Sequence, residues 1–192
     1  IYKFNLPDKL LGDSYNFASE LEYDTDSGQV IFDGMHLPQL KSYIEESLDE
    51  VRISEKINFE YIKPHLMWAN KRDLGGWIHR HTHPNSFLSG IIYLNTCDSR
   101  TWFSTPNYLW RPQNEREYVI GTYPSNKYDT EIIHKQDSVA GVMLIFPSHL
   151  AHSVDNNNSN ISRYTISFNA FPCGKSINLD GESLVSINIQ LI

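Results

Sequence analysis

Trp77-Ile78-His79-Arg80-His81-Thr82-His83-Pro84-Asn85-Ser86 runs directly into Phe87-Leu88-Ser89-Gly90-Ile91-Ile92-Tyr93-Leu94-Asn95, and how this stretch is read decides the fold. Three of the chain's eight histidines alternate within five residues here. A β-strand turns residues i, i+2 and i+4 to one face, with Cα atoms on that face about 6–7 Å apart. His79, His81 and His83 are therefore expected to project the same way, close enough to share a metal ion. Imidazole suits iron, zinc, copper or nickel. The stretch reads as one half of a metal site whose other half must come from elsewhere in the chain.

Its surroundings are β-like too. From Ile57 onward the hydrophobic period is two, and strands are expected over 58–70, 76–83, 88–95, 100–104, 117–123, 131–135, 141–147, 151–154 and 162–170. The tail, 183–192, alternates and reads as a final strand. Many short strands without intervening helices point to an all-β jelly roll or related barrel. Ahead of it, Leu37, Leu40, Tyr43, Ile44, Leu48 and Val51 keep helical spacing behind Pro38 in a first turn, so one amphipathic helix should lie outside the sheet. The first 36 residues, punctuated by Pro7, Gly12, Gly28 and Gly34, read as short strands and turns, for example 29–32. The long aromatic segment 105–137 carries Tyr108, Trp110, Tyr118, Tyr123 and Tyr128 and reads as loops over the barrel mouth with one hairpin. The expected organisation is a single domain over 1–192: a flank over 1–57 with the peripheral helix, a jelly-roll core over 58–172 and a C-terminal strand in 173–192.

Composition narrows the partners. With 192 residues and 40% apolar content the chain can build a core of its own. A formal net charge of -7 leaves no basic footprint for nucleic acid or an anionic membrane, so neither is expected. No apolar run reaches the roughly 18 residues of a membrane span, and the N-terminus lacks a signal-peptide layout. A cytoplasmic protein is expected, with Cys97 and Cys173 as reduced, buried thiols.

The second half of the site is sought near Phe146-Pro147-Ser148-His149-Leu150-Ala151-His152. The run Asp155-Asn156-Asn157-Asn158-Ser159-Asn160 is a strong turn signal, and residues 161–169 return as a strand. A hairpin symmetric about Asn157–Asn158 would set His152 opposite Arg163 and send His149 to the other face. His152 is then the better ligand, with a guanidinium beside it. On the returning strand Arg163, Thr165, Ser167 and Asn169 share that polar side. A cationic inner wall is expensive unless an anion fills it, and guanidinium grips a carboxylate through two parallel hydrogen bonds.

At these residues the chain resembles the 2-oxoglutarate/Fe(II)-dependent oxygenases, in particular a phage and bacterial branch related to prolyl hydroxylases. The resemblance covers roughly Trp68 to Phe171. It rests on His81-Thr82-His83-Pro84-Asn85-Ser86-Phe87-Leu88-Ser89-Gly90, Ile92-Tyr93-Leu94-Asn95, Phe146-Pro147-Ser148 with His152, and Arg163-Tyr164-Thr165-Ile166-Ser167-Phe168-Asn169. It implies a double-stranded β-helix, Fe(II) and 2-oxoglutarate as cofactors, O2 as co-substrate, and hydroxylation of a peptide or small molecule with release of succinate and CO2. It implies further that His81 and His152 hold the metal, and that Arg163 grips the far carboxylate of 2-oxoglutarate with Thr165 and Tyr93 beside it. The location implied for a phage-encoded member is the host cytoplasm.

One position departs from the wider family: His83 stands where the acidic ligand is usual. Either three histidines, His81, His83 and His152, bind the metal, or a carboxylate arrives from elsewhere, Asp98 and Asp73 being nearest in sequence. The three-histidine reading is preferred. His36, His65, His134 and His149 are read as structural; His79 lies one step too early for the pair, and Tyr93 could serve packing alone. Trp68, Asn70 and Trp77 are expected to line or support the pocket, Ser89 and Gly90 to serve backbone geometry, and the aromatic segment to cover the substrate. Two alternatives stay open: a cupin-like three-histidine metalloprotein that does not use 2-oxoglutarate, and an inactive ligand-binding barrel.

Overall fold

A computed structural model describes residues 1–104, 132–177 and 183–187. The elements are β1 (Tyr2–Asn5), α1 (Asp8–Glu20), β2 (Gln29–Phe32), α2 (Pro38–Ser54), β3 (Phe59–Arg72), β4 (Ile78–His81), β5 (Leu88–Tyr93), β6 (Cys97–Ser104), β7 (Ile132–Ser138), β8 (Val142–Pro147), β9 (Ala151–Val154), β10 (Arg163–Ile177) and β11 (Ser183–Ile187). The expected strand over 117–123 and the aromatic cover lie outside the described residues. No helix among the described residues is long and apolar enough to cross a membrane.

All strand pairs are antiparallel and form two sheets. The larger runs β1-β8-β5-β10-β3-β2 with β11 also on β10, and the smaller runs β4-β9-β6-β7. From β3 to β10 the chain passes back and forth between them, which is the winding of a jelly roll, or double-stranded β-helix. The architecture expected from the strand pattern is the one observed.

Both faces of the large sheet are covered. On its outer face Leu40, Ile44, Leu48 and Val51 of α2 pack with Ile92, Ile145, Ile166 and Phe168 in one apolar cluster. Fully burying such a side chain stabilises by roughly 1.5–3 kcal/mol, so this layer carries much of the stability. Its inner face meets the small sheet through Ile91, Tyr93, Val142, Leu144 and Phe146, with Phe103 from β6. That double coverage explains why β5 and β8 are buried along nearly their whole length rather than at alternate residues. Gly90 lets the sheet close: a Cβ there would sit 2.1 Å from Cζ of Phe168.

Two expectations fail. The first 36 residues contain a 13-residue helix, α1, where turns were expected. Its two buried residues are Ser14, which is polar, and Ala18, which is small, so the helical period is faint in sequence. The second failure is the hairpin. β9 belongs to the small sheet, where β4 and β6 occupy both of its edges; β10 belongs to the large sheet, between β3 and β5. Neither strand has an edge left for the other, so residues 155–162 cross between sheets instead of folding back.

Asn157 pins that crossing. Fully buried, it donates through Nδ2 to the carbonyls of Arg72 (3.0 Å) and Ile161 (2.8 Å). Its backbone N–H donates to Gly76 O (2.9 Å), and its carbonyl accepts from Gly75 N (2.7 Å). Asn157→Ala removes both hydrogen bonds donated by a fully buried amide and should destabilise the fold by about 1–3 kcal/mol. Urea unfolding checks this; a loss under 0.5 kcal/mol would mean that water replaces the amide freely.

Candidate metal and anion site

His81 ends β4 directly opposite His152 on β9. Opposed residues of an antiparallel pair share a face, so the two imidazoles are brought together by strand register. His152 was expected opposite Arg163 on a hairpin; its partners are instead His81 on β4 and Phe103 on β6. His83 lies two residues beyond β4, in a turn where Asn85 adopts φ +62°, a left-handed conformation that asparagine tolerates better than most residues. Ser148 clamps that turn: its carbonyl accepts from His83 N–H (2.9 Å) and its own N–H donates to Phe87 O (3.1 Å).

The three imidazoles converge. His83 Nε2 lies 3.1 Å from His81 Nε2 and 3.2 Å from His152 Nε2, and the three ligand nitrogens all lie within 4.8 Å of one another. Each Nδ1 faces a carbonyl-type oxygen: His79 O at 2.7 Å for His81, Asn169 Oδ1 at 2.7 Å for His83, and Leu150 O at 3.0 Å for His152. An oxygen acceptor fixes the proton on Nδ1, so each Nε2 presents a lone pair. Three lone pairs aimed at one another repel unless a cation lies between them. Nitrogens about 2.1 Å from one ion and at right angles around it are about 3.0 Å apart, close to the two spacings measured from His83 Nε2.

Burial favours the neutral rings that a metal needs. It holds His81 below its usual range, pushes His83 down to about 4 with help from neighbouring His81, and holds His152 far below its usual range. His79, grouped with the other two by alternation, does not join them. A register shift between Ile78 and His81 breaks the period, and the exposed His79 ring rests on Trp77 at 3.9 Å between centroids. Trp77 is therefore an outer residue, whereas Trp68 lies 5.5 Å from the His83 ring. Nor does a carboxylate join the cluster among the described residues. Asp73 faces Ser162 and Lys71, and exposed Asp98, near the start of β6, donates its backbone N–H to Ser159 Oγ.

Arg163 opens β10 and is fully buried. Its Nε donates to Ser138 Oγ (2.9 Å) and its guanidinium carbon lies 5.4 Å from the centre of the Tyr93 ring. Nη1 and Nη2 have no hydrogen-bond partner among the described residues. Tyr93, also fully buried, donates to Thr101 Oγ1 (2.7 Å), and burial pushes its hydroxyl up to about 12, so it stays a neutral donor. Thr165 sits across from both Tyr93 and Asn70, and its hydroxyl accepts from Asn70 Nδ2 (3.3 Å). Asn70 thus faces the interior, bonded to Thr165 and Ser167.

Residues that received no functional role from sequence complete the site. Ser138 and Thr101 hold Arg163 and Tyr93, and Asn169 with Ser89 and Ser148 stands behind His83. The polar alternation of β10 pointed at Asn169, and Ser89 and Ser148 fell within the motifs that carry the resemblance; nothing local marked Ser138 or Thr101. Cys173 is buried as expected, Cys97 only half-buried, and both are free thiols.

A buried guanidinium with two unsatisfied nitrogens is costly to keep. Arg163→Met should therefore leave the ligand-free fold about 1–4 kcal/mol more stable than the parent. Thermal and urea unfolding would reveal this, and a clear loss of stability would show that the cation is compensated within the fold.

The family profile described as "Putative 2OG-Fe(II) oxygenase" matches residues 66–169. No curated protein matches the chain at a significant level. Among solved structures, a Pseudomonas putida prolyl-4-hydroxylase superposes with TM-score 0.55 at 13% identity, covering 88% of this chain and 91% of that one. The viral collagen prolyl hydroxylase from Paramecium Bursaria Chlorella virus-1, in its 2OG complex, gives 0.60 at 11% identity over 88% and 93%. The non-heme alpha ketoglutarate dependent epimerase SnoN from nogalamycin biosynthesis gives 0.64 at 9% identity over 88% and 76%. At such identities these likenesses speak for the fold. The profile spans more than half of the chain, from β3 through the histidine cluster to the polar face of β10, and by that match the chain belongs to the 2OG-Fe(II) oxygenases, enzymes that work with Fe(II) and 2-oxoglutarate.

Proposed function

We propose that the chain is a dioxygenase that hydroxylates a peptide or small-molecule substrate, releasing succinate and CO2, with His81, His83 and His152 as its metal ligands and Arg163 as its 2-oxoglutarate anchor. The observation that carries this reading is the convergence of three Nε2 lone pairs, each set by an outward hydrogen bond at Nδ1. Three nitrogen donors at facial spacing suit a six-coordinate ferrous ion with open positions. Bound there with 2-oxoglutarate, Fe(II) would supply the oxidative decarboxylation that drives oxygen transfer to substrate.

The chain's own contribution is binding, orientation and exclusion of water. The two free nitrogens of Arg163 suit one end of a dicarboxylate in bidentate fashion, and Tyr93 and Thr165 flank that position with hydroxyls. Phe103 and Phe146 pack around His152 at 5.8 and 4.9 Å between centroids and keep bulk water from the ligand behind them. The unsatisfied guanidinium favours 2-oxoglutarate use over a cupin-like metalloprotein that would ignore it. Hydroxylation is preferred because two of the superposing enzymes are prolyl hydroxylases.

The test is anaerobic addition of Fe(II) and then 2-oxoglutarate. A weak visible charge-transfer band should appear with the parent chain and be absent from His152→Ala and Arg163→Met. In air, succinate should form with the parent and fall by at least about 100-fold in Arg163→Met, the loss expected when a buried charge-assisted contact is removed. Tight Fe(II) binding with no response to 2-oxoglutarate would overturn the proposal in favour of the cupin-like reading.

A further inference from the structure

His83 differs from the other two rings in how it is held. His81 and His152 donate from Nδ1 to backbone carbonyls two residues earlier, contacts that are built into their own strands. His83 lies on a turn and donates to a side chain, Asn169 Oδ1. An imidazole can rotate to offer either nitrogen, and the hydrogen bond at one nitrogen decides what the other presents. Asn169 is therefore the removable element of the ligand set.

The amide is itself built in. Asn169 is 8% exposed, and its Oδ1 also accepts from Ser89 Oγ (2.8 Å). Ser89 Oγ lies 2.7 Å from Ser148 Oγ, and Ser148 Oγ lies 2.9 Å from Ser86 Oγ on the turn that carries His83. The hydrogen bonds close a ring from His83 through Asn169, Ser89, Ser148 and Ser86 back to the same turn. Ser89 and Ser148 are fully buried. Two fully buried hydroxyls, a third half-buried one and a buried amide are hard to explain as packing, since apolar residues would stabilise that space better.

We propose that Asn169, locked by Ser89, is the positioning residue that makes His83 a metal ligand, and that its neutrality tunes the site for a dicarboxylate. The inference rests on the three-histidine reading of the preceding subsection. Three neutral imidazoles leave a divalent ion with its full +2 charge, which a dianionic co-substrate neutralises. A carboxylate at 169 would hold the ring equally well but would place a negative charge behind it. Ring orientation and co-substrate affinity should therefore separate when this residue is changed.

The experiment titrates metal-free protein with Co(II), followed by its visible spectrum, and measures the KM for 2-oxoglutarate separately. Removing the partner of a ligating histidine typically costs 10–100-fold in metal affinity, so Asn169→Leu should raise the Co(II) Kd about 10–100-fold and shift the spectrum toward that of His83→Ala. Asn169→Asp should keep the Co(II) Kd within about 3-fold of the parent while the KM for 2-oxoglutarate rises about 10-fold or more, the scale of one added like charge at short range. Ser89→Ala, which removes only the second hydrogen bond to the amide, should fall between the parent and Asn169→Leu; it serves if the leucine variant does not fold. Parent-like Co(II) affinity and spectrum in both Asn169→Leu and Ser89→Ala overturn the inference, as does an Asn169→Asp variant that binds Co(II) as poorly as His83→Ala. A parent chain that takes no Co(II), or a His152→Ala variant that binds it unchanged, overturns the three-histidine reading and this inference together.

Discussion

The antiparallel pairing of β4 with β9 sets His81 directly against His152, and the site has no other source for that proximity. The two residues are 71 positions apart in the chain, so their approach depends on the small sheet being assembled in the right register. A slip by one residue would turn one imidazole to the opposite face, because side chains alternate along a strand. β6 on the far edge of β9 holds that register from the other side, with Phe103 opposite His152.

A polar, cation-bearing interior is affordable only because stability is gathered elsewhere. The outer face of the large sheet, under α1 and α2, carries the larger apolar cluster. The inner face mixes a smaller apolar cluster with Arg163, Asn70, Thr165, Ser167 and Asn169. β10 shows the division within one strand: Ile166, Phe168 and Ala170 turn to the helices, while Arg163, Thr165, Ser167 and Asn169 turn inward. The flanking helices thus free the barrel interior for chemistry, although they touch none of the converging imidazoles.

On the proposed reading, charge is arranged along the axis of the co-substrate. A divalent ion held by neutral rings would sit at one end, and at the other lies a guanidinium whose Nη1 and Nη2 have no hydrogen-bond partner among the described residues. Beside the guanidinium lies Tyr93, bonded to Thr101, both buried hydroxyls and neither charged. Two cationic ends complement a short dicarboxylate, and the histidine in the third ligand position strengthens that bias. The same fold is found in a prolyl hydroxylase and in an epimerase, so the prime substrate must be chosen by parts of the molecule other than this frame.

Periodicity carried a great deal of this protein in the sequence alone. Alternation announced most of the strands, β9 to the residue, and α2 showed its stripe because Leu40, Ile44, Leu48 and Val51 outweigh the one buried polar residue among them, Ser47. The residue types at 81, 83, 152 and 163 pointed to imidazole and guanidinium chemistry before any contact was known. Strand partnership was beyond local pattern: the asparagine-rich run 155–160 looks like a hairpin turn, but whether it folds back or crosses depends on which strand edges are already taken. The loss of His79 from the cluster, the recruitment of Asn169 and the serines, and the burial of Arg163 likewise follow from register shifts and long-range packing. Local sequence sets which side chains are present and which face each can take; only the closed pair of sheets decides which of them meet.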